Sequence, residues 1–293
     1  MKKRLLITGS AGYLGYHTAF LLHDSFEIAG TFHNNFTSVH PIKQYKVDIT
    51  DPDSVNDCFR RFEPHWVVHS AAAPDVDWCA NNPDEAMLIN RDGSKNVALA
   101  CENVGARMIH ISTDLVFDGE KGDYTEDDEV CPNTIYGDTK LAAEKEVQRV
   151  SGGFIIFRVA LIYGIDSPFK KGYIFSTMDK LRRGEKVLFF TDQFRTPLYV
   201  ADAANAIEGA IENEAPGGIY HISGDDKVTR LEFGEIMREV YGFDKELIIP
   251  STMDELPGMT ARPRDVSMIN NKAKSTFGFN PTSIRDALKS ILV

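Results

Sequence analysis

At 293 residues the chain is long enough for one large domain, or for a large and a small lobe sharing a cleft, with a substantial core. Lys and Arg number 32 against 43 Asp and Glu, and the net charge of −11 disfavours nucleic acid or an acidic membrane as a partner, so an anionic ligand needs a local basic or amide-lined pocket. Cys58, Cys79, Cys101 and Cys131 form no CxxC pair, no His-rich tract adjoins them and no apolar run is long enough to span a bilayer; the expectation is a soluble cytoplasmic protein with reduced thiols and no recognisable metal site.

Leu5, Leu6 and Ile7 predict a first strand, followed by the glycine-spaced turn "TGSAGYLG" and a helix carrying Leu14, Thr18, Leu21 and Leu22. "FEIAGTF" returns to a β-rich run, "YKVDIT" gives another short strand, "SVNDCFRRF" a helix, and "HWVVHSAAA" a strand ending in small residues. A long helical stretch, "PDEAMLINRDGSKNVALACENVG", closes at Gly105 and leads into the buried strand "ARMIHISTD". The helix "TIYGDTKLAAEKEVQRV" and the strand "GFIIFRVALIY" complete the alternation. Strands separated by helices imply right-handed crossovers and a doubly wound parallel sheet, a Rossmann-type α/β fold covered on both faces. Beyond Tyr163 the alternation weakens, and prolines punctuate the chain from Pro250 to Pro263. Residues 1–165 therefore read as a dinucleotide-binding domain and residues 166–293 as a smaller C-terminal α/β substrate lobe, with a segment near 198–223 returning to the first domain.

In a doubly wound sheet the ligand lies beyond the carboxyl ends of the strands, where the first turn points backbone amides at it. Gly9 permits the tight turn, Gly12 the approach of a pyrophosphate, and Gly15 the packing of helix on strand. The GxxGxxG spacing departs from the commonest GxGxxG fingerprint, and its other reading is an ordinary turn with a helix packing site; its place between first strand and first helix favours a nucleotide cofactor. After the second strand come Thr31, Phe32, His33, Asn34 and Asn35, without the acid that would bind both ribose hydroxyls and repel a 2′-phosphate. The expectation is NADP(H) in preference to NAD(H), with His33 or Asn34 on the phosphate; the alternative for either residue is a solvated polar loop. Asp48 and Ile49 are placed to meet the adenine, one by hydrogen bond and one by packing, unless Asp48 caps the helix that begins near Pro52.

"YGDTK" puts Tyr136 and Lys140 at i and i+4 on one helix face. A buried ammonium beside a phenol lowers the phenol's proton affinity and fits the pair for general acid work toward a carbonyl. As a bare pattern the spacing is more often a surface pair. Here the strand ending in "ISTD" brings Ser112, Thr113 and Asp114 to the same edge, and the Thr113 hydroxyl either donates to that carbonyl or caps a turn.

Together "ITGSAGYLG", "STDLVFDG", "YTEDDEVCPNTIYGDTKLAAEKEV", "DQFRTPLYVADAA", "GGIYHISG" and "RPRDVSMIN" make a chain that resembles the extended short-chain dehydrogenases/reductases over most of its length. Within that family it is most similar to the dTDP-4-dehydrorhamnose reductases and the related β subunit of methionine adenosyltransferase. The resemblance implies Thr113, Tyr136 and Lys140 as the catalytic triad, with Lys140 also holding the nicotinamide ribose. It implies Gly9, Gly12, Tyr13, Leu14 and Gly15 on the pyrophosphate, and Ala71 and Ala72 along the cofactor. Arg195, in "QFRTPLY", resembles a position where family members meet the nucleotide diphosphate, its planar fork suited to phosphate oxygens; its alternative is an ion pair with an acid such as Asp202. Arg262 and Arg264 are further candidates.

In sugar-nucleotide dehydratases the threonine is typically followed by an Asp-Glu pair. Here Asp114, a candidate substrate contact, is followed by Leu115, and elimination lacks its second carboxylate. The resemblance thus implies an NADPH-dependent reductase of a 4-keto-6-deoxy sugar nucleotide, with Tyr136 supplying the proton. The alternatives are a sugar-nucleotide epimerase and a cofactor-binding regulatory subunit like that of the adenosyltransferase. Leu115 and Leu161 stand where the rhamnose reductases commonly carry aromatic residues, and Trp78, in "DVDWCANNP", either offers a replacement ring near the mouth or packs. The terminal "SILV" is too short to claim as a docking tail, and many family members pair through helices, so a homodimer is an open expectation.

Overall fold

Successive residues of the central strands face opposite sides of one sheet, and both sides are buried. The structure, a computed structural model, describes residues 2–34, 42–168, 172–255 and 262–291; Asn35 and the last two residues of "SILV" lie outside these. β1 (Arg4–Thr8), β2 (Glu27–Phe32), β3 (Lys43–Lys46), β4 (Trp66–His69), β5 (Arg107–Thr113), β6 (Ile155–Val159) and a last strand, Gly218–Ile222, form a seven-stranded sheet with every pair parallel. Leu5, Ile7, Val68, Ile109 and Phe157 enter one core, while Leu6, Val67, Met108 and Ile156 enter the other. Cover on both faces is why these strands read as continuous apolar runs instead of alternating ones. From one edge the order is Gly218–Ile222, β6, β5, β4, β1, β2, β3. The winding reverses between β1 and β4, which opens a crevice at their carboxyl ends.

The covering helices start and stop for local reasons. α1 (Tyr13–Leu22) follows the glycine turn and packs on the helix Val200–Glu212. α2 (Pro52–Phe62) is capped by Asp51, whose carboxylate accepts from the Asp53 N–H at 3.0 Å. Asp48 is therefore not the cap; it closes its own turn, accepting from Thr50 N at 2.9 Å and Thr50 Oγ1 at 2.7 Å. The "YKVDIT" strand sits earlier than its apolar residues suggest, at Lys43–Lys46, because that Asp48 turn ends the ladder.

The long helix expected from Pro83 to Gly105 is broken into α-helical Pro83–Met87, a π-helical segment Leu88–Asp92 and α-helical Gly93–Val104, with Gly105 closing it at φ +69°. The widened turn seats Asn90, which is fully buried. Its amide accepts from Ala73 N at 2.8 Å and donates to Ala73 O at 3.1 Å and Thr139 Oγ1 at 2.9 Å, clamping the loop after β4.

The strand "GFIIFRVALIY" likewise pauses. It stops at Val159 and resumes at Ile162–Tyr163, paired with Leu198–Tyr199, so Ala160 and Leu161 fall at the crevice. A third core of Tyr163, Ile174, Met178, Phe189, Phe233 and Ile284 holds the C-terminal elements, around a parallel pair Val187–Phe190 and Ile248–Ser251. The helix Arg230–Tyr241 begins with a capping box between Thr229 and Glu232. Among the described residues no helix is long and apolar enough to cross a membrane, and no cluster of His, Cys, Asp and Glu is arranged to hold a metal ion. The four cysteines are free thiols, with Cys131 exposed.

Candidate active site

A cleft of about 920 Å³ crosses the carboxyl ends of the strands. At one end lies the glycine turn. Gly9 sits at φ +70°, and the Gly12 N–H donates to Gly9 O at 2.8 Å. A Cβ on Gly9 would stand 2.8 Å from Ala71 Cα, and one on Gly15 would overlap Gly9 O. The turn is thus pressed against the loop after β4, and no larger residue fits those two positions. α1 opens at Gly12 with no side-chain cap and no acid in its first turn, so its first amides remain available to an anion. Tyr13, Leu14, Ala71 and Ala72 border the same end.

His33, Asp48 and Ile49 line the next stretch, with His33 Nε2 3.5 Å from Asp48 Oδ2. The Thr50 hydroxyl holds the Asp48 carboxyl below its usual range. Asn34 is exposed and does not border the cleft.

Thr113 ends β5, and Tyr136 and Lys140 occupy the first turns of the helix Ile135–Val150. That helix is capped by Thr134, which accepts from Gly137 N at 3.0 Å, and a Cβ on Gly137 would overlap Leu115 O. Close approach of helix and strand end brings the three side chains to one wall. Thr113 Oγ1 donates to Asp114 Oδ1 at 3.1 Å and accepts from Leu115 N at 3.2 Å, and it borders the cleft on the same wall as the Tyr136 phenol. It also caps the short turn Asp114–Val116.

The expected lowering of the phenol is not what the structure gives. Burial, and then the charges of Asp114 and Cys79, push Tyr136 well above the usual phenol range, with the Thr113 hydroxyl opposing. Lys140 exerts no lowering because its ammonium lies toward His110, 3.5 Å from Nε2. Burial draws Lys140 itself down to about 8, against the charge of Glu144. At neutral pH the wall therefore carries a protonated phenol and a lysine that is still mostly charged.

Opposite this wall the cleft is cationic, bordered by Arg195, Arg230 and Arg262. Arg195 is 6% exposed and donates to the carbonyls of Phe194 at 2.6 Å, Arg264 at 3.1 Å and Pro263 at 3.1 Å. Burial pulls it down to about 10, leaving it a cation, and the charge that most opposes this is Asp114, whose own carboxyl is raised by burial against the lowering effect of Arg195. The Asp202 pairing does not form; that carboxylate accepts from Thr282 N at 2.7 Å and Oγ1 at 3.0 Å. Arg262 reaches across the mouth to Asp77, Nη2 to Oδ2 3.0 Å, and its Nη1 has no partner among the described residues. Arg264 is paired with Asp192 and Asp254 and does not border the cleft. Nor does Trp78, on the short helix Val76–Asn81, although Val76 beside it does. Leu115 and Leu161 supply aliphatic wall where rings were expected in relatives.

Residues 2–293 match the RmlD substrate binding domain family. The chain belongs to that family. A dTDP-4-dehydrorhamnose reductase from Bacillus anthracis, crystallised with NADP, superimposes with a TM-score of 0.89 at 26% identity, covering 100% of this chain and 99% of that one. The probable low-salt glycan biosynthesis reductase Agl14 of Haloferax volcanii is 31% identical over 290 residues, 97% of this chain and 96% of its own length. Methionine adenosyltransferase 2 subunit beta of Xenopus tropicalis is 31% identical over 268 residues, 89% of this chain and 78% of its own. The resemblance to the extended short-chain dehydrogenases/reductases is borne out.

In this RmlD-family chain the sequence reading passed over Arg230 and Gln193. Both border the cleft, and Gln193 O accepts the Arg230 N–H at 3.0 Å. The signal available was the Thr229 to Glu232 capping box, which places Arg230 at the first helical position. Nothing local says that this helix start abuts the cleft.

Proposed function

We propose that this RmlD-family protein reduces the keto group of a 4-keto-6-deoxy sugar nucleotide, with NADP(H) preferred over NAD(H). The observation that carries this reading is one cleft lined by the glycine turn, by Thr113, Tyr136 and Lys140, and by three arginines, Arg195, Arg230 and Arg262. The chain fits a dinucleotide: the turn excludes any Cβ at Gly9 and Gly15, the α1 amides are open, and Ala71 and Ala72 keep the floor narrow in side-chain volume. When bound, the reduced nicotinamide supplies the hydride. In this reading residues 1–165 with 198–223 hold the coenzyme, and the remaining C-terminal residues hold the sugar nucleotide.

Tyr136 gives its proton to the carbonyl oxygen, Thr113 Oγ1 holds that oxygen beside it, and the Lys140 ammonium holds the nicotinamide ribose. Arg195, Arg230 and Arg262 pair with the diphosphate, as planar forks do with phosphate oxygens. Leu115, Leu161 and Val76 suit an apolar deoxy carbon better than a hydroxymethyl group. His33, with no acid between Thr31 and Asn34, supports the 2′-phosphate preference.

The test is NADPH oxidation followed spectrophotometrically against a panel of keto-sugar nucleotides, with NADH as comparator. Equal kcat/KM for both coenzymes removes the preference, and the absence of any melting shift with every sugar nucleotide removes the substrate class. A second reading, a cofactor-binding regulatory subunit, draws support from the likeness to the adenosyltransferase β subunit and from leucine at 115 and 161. It expects NADPH binding without turnover, and capture of an adenosyltransferase catalytic subunit by the purified chain.

A further inference from the structure

Beneath the cleft two histidines sit side by side in register, His69 on β4 and His110 on β5, both fully buried, with ring centroids 5.4 Å apart and 30° between planes. The surroundings of His69 fix its protons. Ser94 gives its own hydroxyl proton to Asn90 O, so at 3.0 Å it accepts from His69 Nε2–H, which leaves Nδ1 to accept from Thr8 Oγ1 at 2.7 Å. Every polar atom of that ring is used.

His110 has no such set. Its Nδ1 is without a partner among the described residues, and Nε2 faces Lys140 Nζ at 3.5 Å. An ammonium only donates, so Nε2 accepts and the single ring proton lies on Nδ1. A buried imidazole with one idle nitrogen is a costly thing to keep in a strand, and a charge-assisted bond from Lys140 is the interaction that offsets it. We propose that His110 is a positioning residue for Lys140, a neutral imidazole held as the Nδ1–H tautomer whose Nε2 anchors the ammonium for its work beside Tyr136 and at the coenzyme ribose. The proposal rests on the reading of Lys140 given under the proposed function.

The groups around Lys140 are consistent with that task. Tyr136 and Glu144 share its helix, His110 and Ser112 approach from β5 and His69 from β4. Arg158 of β6 acts through Glu144, to which it donates from Nε at 3.1 Å and Nη2 at 2.9 Å while Ser112 donates to the same carboxylate. The carboxylate is thereby occupied, and His110 Nε2 is the acceptor within hydrogen-bonding distance of Nζ among the described residues. Burial and the Lys140 charge push both histidines far below the usual imidazole range, so neither competes as a cation.

Long-range proton–nitrogen correlation spectra of the full chain labelled in histidine, recorded without ligand from pH 6 to 9, read the tautomer directly. The expected spectrum of His110 shows Nδ1 protonated and Nε2 bare, with Nε2 changing in Lys140→Met. A protonated Nε2 at neutral pH overturns the proposal. NADPH affinity is the second arm. His110→Phe weakens binding by roughly tenfold or more and moves its alkaline fall to lower pH, since the charged lysine has lost an acceptor. His110→Gln, whose amide oxygen accepts, restores most of the affinity; unchanged binding in His110→Phe, with a normal melt, overturns the proposal. Should His110→Phe not fold, the wild-type spectrum and His110→Gln decide. Neither arm needs a sugar nucleotide, so failure to find a substrate leaves this result intact.

Discussion

Tyr136 and Lys140 answer the same burial in opposite ways, and both answers are measurable. The phenol is raised and stays protonated across the working range, so in the proposed reaction removing its oxygen removes the proton source and little else. Tyr136→Phe should lower kcat by roughly 10²–10⁴ while the dissociation constant for NADPH, read by fluorescence, stays within about twofold. Lys140 is drawn down to about 8 from 10.5, so the folded state loses that proton while the unfolded state keeps it. Below about pH 8 the buried ammonium is a steady cost, and stability recovers as pH rises from about 8 to 10.5. Lys140→Met should therefore be more stable than the parent at pH 7, on the order of 2 kcal/mol by urea denaturation, with the gap closing by pH 10. A gap that does not change with pH would mean the lysine carries no such burden. In the proposed reaction the ammonium is required, so turnover should fall as pH rises through the same region.

At the scale of elements, the turn and the helix break give two further expectations. Gly15→Ala drives a Cβ into Gly9 O, so it should weaken coenzyme binding by roughly tenfold or more and destabilise the fold by about 1–3 kcal/mol. Asn90→Ala strands Ala73 N and O, and a loss of about 1–3 kcal/mol is expected in thermal and urea melts, with the loop after β4 gaining hydrogen exchange. The two elements were not equally legible. Glycines at 9, 12 and 15 declare themselves because steric exclusion is written into composition, and Tyr136 with Lys140 because helical spacing is. The π segment at Leu88–Asp92 was hidden: its cause is a hydrogen bond from Asn90 to a loop seventeen residues earlier, and periodicity within the helix carries no trace of that. His110 was hidden for a related reason. In the strand "RMIHIST" it alternates like any core residue, and only the packed helix shows what its ring faces.

For the whole molecule, the doubly wound parallel sheet and the ligand crevice at its strand ends followed from the alternation of elements, while the strand order and the cationic lining of the cleft did not. Arg195 was marked by its motif, yet Arg230 joins it only because the strand pair Phe194–Arg195 and Val228–Thr229 draws two distant segments together. Asn34 and Trp78 fail to reach the cleft for the converse reason, since position in the chain does not fix where a side chain ends. Three guanidiniums in a chain of net charge −11 make the local field oppose the global one. Raising salt from about 50 to 500 mM should weaken sugar-nucleotide binding several-fold in calorimetry, as screening removes that local attraction. Salt-independent binding would place the diphosphate elsewhere.

The ion pair from Arg262 to Asp77 joins the two banks of the mouth, and both partners are partly exposed. Such a contact contributes about 0.2–1 kcal/mol, so the pair opens and re-forms on thermal energy alone. If Arg262 takes the diphosphate as proposed, one guanidinium serves as toll-bar and as berth, because an arriving phosphate competes for it with the carboxylate that already holds it. Asp77→Asn surrenders the contest in advance and should tighten nucleotide capture up to roughly fivefold, leaving the mouth unbarred when no cargo is aboard.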